Sequence, residues 1–313
     1  MRASLMLAAA LLMVVICAQG RAQNQRTGAI AMQILGQEIA VEAGPGRHDG
    51  EAWLKLAVLR QDAAQYPESE RAYRKAIALL KSSDKAAFAD ALDHMGTMYV
   101  ESGRISKAER LERKALKIRE DENDLLGIGL SHMHLGALLL GRRDLPSAEA
   151  EAEMAVSLLA PHEVQSPFQA AATPEEKMTA LIDLSLVRCA RNNCAAAVPD
   201  LKRALRLAHT NYTANSIPVG FLDFLLGYAL WKIGDSHSAQ ELMENGTREL
   251  ETQLGWGHPT YIQALRQYRL FLIQVGHRTD ADQVEASIVR LEKGRDFDRA
   301  KSNGAGMDLE QLH

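Results

Sequence analysis

Small residues return at fixed places along this chain with a period of about 40 residues. Laying "LDHMGTMYVESGRISKAERLERKAL" over "SHMHLGALLLGRRDLPSAEAEAEMAV" superposes Gly96 on Gly136, Ala108 on Ala148, Glu109 on Glu149 and Ala115 on Ala155. Upstream, Ala57, Ser69, Glu70 and Ala76 fall at the same places; downstream come Ser185, Ala197 and Ala204, then Gly227, Gly234, Ala239 and Gly246. A sixth segment keeps Gly276 and Ala281 but has Arg269 where the others are small. Each segment reads as two apolar-periodic stretches joined by a short turn that often carries Gly. Glycine at the end of the first stretch suits the left-handed residue that closes a helix. Small side chains at the remaining places let two antiparallel helices approach closely.

Composition agrees. Hydrophobic residues make up 47% of the 313, yet aromatics only 5%, so alanine and leucine supply the apolar surface. The formal net charge of −4 gives no basic field for nucleic acid or an anionic membrane.

The pattern resembles the tetratricopeptide repeat, whose signature is W-x2-L-G-x2-Y, then A-x3-F and a second Ala. The first repeat offers Trp53, Leu56, Ala57, Tyr73 and Ala76; the second offers Leu92, Met95, Gly96, Tyr99, Ala108 and Ala115. The spacing looks like the longer-linker variety of kinesin light chains, and "LGWGHPTYIQALRQY" is similar to the start of such repeats. Glu112, where an aromatic is typical, and Arg269 depart from the pattern. The resemblance implies an all-α, right-handed α-solenoid of about six antiparallel helix pairs. One pair cannot bury its apolar face alone, so stability comes from stacking on neighbours.

The boundaries follow. Residues 1–22 carry one Arg, a short apolar run and small-x-small cleavage sites, the form of a signal peptide rather than a membrane span. An exported protein, periplasmic or secreted, is expected; an uncleaved anchor that holds the chain at a membrane is the alternative. Residues 23–50 form a linker in which Ala29–Glu42 is a candidate capping helix. Repeats one to three span 51–160, a Pro-rich linker 161–175, repeats four to six 176–293, and a disordered tail 294–313. Thr173, Pro174 and Glu176 make a good helix start.

No motif for catalysis or cofactor binding appears: there is no Gly-rich phosphate loop, G-x-S-x-G or H-E-x-x-H. His132 and His134 lie two apart on a helix and point to different faces, so they do not read as a metal pair. His258 reads as a residue that starts a helix. Catalytic, cofactor and metal residues are therefore none. Cys189 and Cys194 flank a turn; they form either a small local disulfide or two separate buried side chains.

The resemblance also implies that the first helix of each pair lines a concave groove. Carrying that frame over gives an acidic stretch with Glu51, Asp62, Asp90, Asp93 and Glu101, and an apolar wall of Met133, Leu140, Ile182, Leu186, Phe224, Tyr228 and Trp231. The expected function is a non-enzymatic scaffold or adaptor that binds a protein or peptide partner in this groove. The alternatives are a groove filled by the linker with Phe168, by the tail or by the next repeat, and an enzyme. The enzyme would require a polar cluster with shifted pKa values, which the mapped groove lacks.

Overall fold

The computed structural model describes residues 23–42, 44–161, 172–255 and 258–305. Among these, thirteen helices and no strands are found. They are α1 (Gln23–Glu42), α2 (Gly50–Asp62), α3 (Tyr66–Leu80), α4 (Lys85–Glu101), α5 (Ile105–Asp121), α6 (Leu125–Gly141) and α7 (Leu145–Leu159). The series continues with α8 (Pro174–Ala190), α9 (Cys194–Asn211), α10 (Ile217–Lys232), α11 (Ser236–Leu254), α12 (Pro259–Gln274) and α13 (Arg278–Ala305). They divide into two compact bodies, one up to Val187 and one from Arg188 onward. No helix of the described residues is long and apolar enough to cross a membrane.

Local chemistry sets the helix starts. Asp49, Asp84, Asp124, Asp144 and Asp235 each accept a hydrogen bond from a backbone N–H in the first turn of the helix that follows. Thr173 and Glu176 form the reciprocal pair expected of them: Thr173 Oγ1 accepts from Glu176 N, and Glu176 accepts from Thr173 N. His258 does the same work at α12, its Nδ1 accepting from Thr260 N at 3.2 Å. Burial holds that imidazole below its ordinary pKa, as an accepting, neutral ring requires.

In the N-terminal body, α2 pairs with α3, α4 with α5, and α6 with α7, and each helix also packs on its chain neighbour. In the C-terminal body, α10 pairs with α11 and α12 with α13. First helices of consecutive pairs touch as well, α2 with α4 and α10 with α12, which is the stacking a lone hairpin needs. The small residues sit where the helices meet. A Cβ on Gly227 would lie 2.9 Å from Met243 N, and one on Gly246 would lie 2.5 Å from Gly220 O. The six hairpin turns all place one left-handed residue at the same repeat position: Ala64, Gly103, Arg143, Asn192, Gly234 and Gly276.

The capping helix is longer than expected, beginning at Gln23, and Ile34 and Val41 join the core formed by Leu56, Ala57 and Tyr73. The last helix continues to Ala305, so the stretch expected to open a disordered tail at 294 is helical; it contains no proline to stop the helix. The signal peptide expected at 1–22, Phe168 with most of its linker, and 306–313 lie outside the described residues.

Candidate functional site

The groove residues divide by burial. Phe224 is 1% exposed, Trp231 5%, Leu140 5% and Ile182 7%. These are core residues, a correction to the expectation that they form an open wall. Trp231 meets the ring of Phe271 on α12 edge-on at 5.9 Å, and that of Tyr228 at 5.8 Å. The next first helix thus covers the aromatic row within the C-terminal body. Tyr228 is half-buried, as is Leu186; Met133, also half-buried, packs against Ala155, Leu159 and Ala180.

The acidic stretch fares differently. Glu51, Asp62 and Asp90 are exposed, and Glu101 is half-buried. Gln61 donates to Glu101 at 2.9 Å and accepts from the Tyr73 hydroxyl at 2.6 Å, so three helices are tied together beneath this surface. Burial lifts the Asp62 carboxyl, with His94 opposing, and burial then Asp62 lift that of Glu101 against the Gln61 hydrogen bond. His94 reaches solvent, yet desolvation lowers its imidazole pKa against the pull of Asp93 and Asp90. Among the described residues, neither Asp62 nor Glu101 forms an ion pair.

Asp93 belongs to something else. It is 6% exposed and is ion-paired to Arg119 of α5, which also reaches Asp90 at 2.7 Å and Ser131 at 2.7 Å. Glu112 of α5 is 2% exposed, and His134 of α6 lies 3.4 Å from Glu112 Oε2 and 3.8 Å from Asp93 Oδ2. These residues replace a hydrocarbon core. At the repeat position of Glu112 the other internal repeats have Tyr73, Ala152, Leu201 and Met243; at that of Arg119 they have Leu80, Leu159, Ala208 and Leu250, all buried. Two glycines make the room: a Cβ on Gly96 would lie 2.4 Å from Glu112 Oε1, and one on Gly127 would lie 2.6 Å from Arg119 Cδ.

Burial pushes the Glu112 carboxyl up, with His134 opposing. Desolvation lowers the His134 imidazole, but Glu112 and then Asp93 outweigh it and raise the pKa. The groups titrate as one unit. The polar cluster with shifted pKa values that the sequence appeared to lack is therefore present, between repeats two and three. Sequence reasoning missed it because its members are scattered along the chain. The available signal was two charged residues, Glu112 and Arg119, at core positions of the repeat. His132 goes elsewhere, to Glu151 at 2.6 Å, so the two histidines do face different ways.

Asp183 occupies on α8 the repeat position of His134. It is 8% exposed, and burial pushes its carboxyl up to about 7, with His134 pulling the other way. That is above the unfolded value of 3.8, so ionising Asp183 costs the folded state. The penalty is absent below about pH 4 and complete above about pH 7. Asp183→Asn removes it. The variant is expected to be the more stable at pH 8 by roughly 2–4 kcal/mol, at about 1.4 kcal/mol for each tenfold change in proton affinity. Urea melts at pH 4.5 and pH 8 check this; a pH-independent difference would contradict it.

Residues 49–121 match the tetratricopeptide repeat family model. That stretch carries tetratricopeptide repeats. Solved structures with the same fold include BtubC (BKLC) from P. vanneervenii, 17% identical with a TM-score of 0.60, covering 74% of this chain and 92% of that one. PilF of Pseudomonas aeruginosa is 17% identical with a TM-score of 0.55, over 80% and 97%. A putative kinesin light chain from Podosopora anserina with nearly identical repeats is 14% identical with a TM-score of 0.53, over 66% and 97%. No curated protein matches the sequence significantly. The tetratricopeptide repeats of residues 49–121 are a scaffold fold consistent with protein–protein interaction.

The structure bridges Cys189 and Cys194, with Cα atoms 4.2 Å apart. Of the two arrangements that the sequence leaves open for these cysteines, this is the local disulfide. The left-handed Asn192, followed by Asn193 N donating to Arg188 O, folds the turn tightly enough to bring them together. On the chain-entropy estimate so short a loop contributes about 2 kcal/mol, a local clip.

Proposed function

We propose that the protein is an exported adaptor without catalysis of its own, and that it binds a polypeptide with basic residues through the inner face of repeats one and two. The observation that carries this reading is the pair Asp62 and Glu101. They sit on successive first helices, raised by partial burial, and among the described residues neither pairs with a lysine or arginine, His94 alone opposing the rise at Asp62. Two neighbouring carboxylates so placed favour a partner that supplies positive charge. The fold supports an interaction role, and the disulfide accords with an oxidising compartment. The leader-like sequence at 1–22 supports export. The apolar contribution is smaller than the sequence promised, because most of the expected wall is core.

The test compares the wild type with Asp62→Lys/Glu101→Lys in capturing proteins from the secreted or envelope fraction. Dissociation constants for a captured basic partner are then measured against salt. A loss of about tenfold or more, with weaker salt dependence in the variant, is expected. Equal recovery and equal affinity would end the reading.

A further inference from the structure

We propose that Asp93, Glu112 and His134 form a binding site for a divalent transition-metal ion such as Zn2+, closed by repeats two and three. This goes beyond polypeptide binding and does not depend on it. One donor atom from each residue lies within 4.8 Å of the other two. Three donors at about 2.1 Å from a tetrahedral ion would stand roughly 3.4 Å apart. His134 Nδ1 and Glu112 Oε2 are already 3.4 Å apart, and His134 Nδ1 and Asp93 Oδ2 are 3.8 Å apart, so modest side-chain movement suffices.

An independent observation points to a ligand. Asp93 Oδ1, Glu112 Oε2 and His134 Nδ1 are buried, and none has a hydrogen-bond partner. The Asp93 and Glu112 side chains are 8% and 2% exposed. Buried polar atoms without hydrogen bonds, one on each of three side chains that converge, are costly in a folded protein unless something satisfies them. A proton between Glu112 and His134 would serve one contact and leave Asp93 Oδ1 unpaired. A dication would take a donor from each side chain. Arg119 offsets only part of the charge of Asp90, Asp93 and Glu112, and by holding Asp93 it orients that carboxylate as an outer-shell group does.

The donor set selects the ion. An imidazole with two carboxylates suits Zn2+, Mn2+ or Fe2+, whereas Ca2+ and Mg2+ favour more numerous oxygens. The His134 side chain is 35% exposed although its Nδ1 is buried, so the site lies close to solvent. The reading of no metal from sequence weighed His134 only against His132; its partners instead lie 22 and 41 positions upstream.

The full chain, stripped with chelator, is titrated with Zn2+ by calorimetry at pH 7.5. One saturable site is expected, with affinity reduced more than about tenfold in both Glu112→Gln and His134→Gln. His237→Gln, an exposed histidine elsewhere, serves as control and binds like the wild type. Absence of saturable binding up to millimolar Zn2+, or equal affinity in wild type and both variants, would overturn the proposal. If a variant fails to fold, the wild type decides by NMR. Stoichiometric Zn2+ must shift the His134 ring resonances and abolish their titration; resonances that titrate unchanged would mean that the site holds only a proton.

Discussion

Trp231→Ala is expected to lower stability by about 3–5 kcal/mol, because it removes a large aromatic side chain from a core that cannot close over the gap. The ring is 5% exposed, with Phe271 and Tyr228 edge-on and Lys232 Nζ 3.8 Å from its centroid. Chemical denaturation should show a clearly lower midpoint, with the greatest loss of amide protection in α10 and α12. A surface tryptophan awaiting a partner would behave differently: binding would weaken while the midpoint stayed put. That second outcome would restore the aromatic row to the groove.

Arg119→Ala should cost a similar amount, about 3–5 kcal/mol, for an electrostatic reason. The guanidinium pairs with Asp93 and Asp90 and donates to Ser131 and the Gly127 carbonyl. Its removal leaves the Asp93 carboxylate buried beside Glu112 with no cation except His134. Desolvation works against the charged guanidinium, yet the two aspartates raise its pKa overall, so it stays charged at any ordinary pH. Thermal melts at pH 7.5 and pH 5 discriminate. The loss is expected to shrink at the lower pH, where protonation of Glu112, whose carboxyl burial pushes up, leaves less negative charge around Asp93. An equal loss at both pH values would attribute the effect to the cavity alone.

The helix pairs were readable because their cause is local and repeated: Gly96, Gly136 and Gly227 recur where hairpins must approach, and aspartates precede the helices they cap. Glu112 was legible as a departure, but its meaning was not. Its partners come from two other helices, and only the register of the stack brings Asp93, Glu112 and His134 together. The inner wall failed for a related reason. The position that faces the groove in an open array also faces the following first helix, and the bulk of Trp231 and Phe271 decides which it meets. Asp62 and Glu101 have no such bulk opposite them that the repeat pattern reveals, and they remain exposed and half-buried respectively.

The left-handed turn residues have a consequence for how much mutation the chain can absorb. Three of the six, Gly103, Gly234 and Gly276, adopt that conformation freely, whereas Ala64, Arg143 and Asn192 carry side chains there. For alanine and arginine this conformation costs roughly 1–2 kcal/mol each. The fold therefore holds a reserve outside its packing, at positions where residue choice alone could offset damage elsewhere, including the instability introduced by a charged cluster in its core.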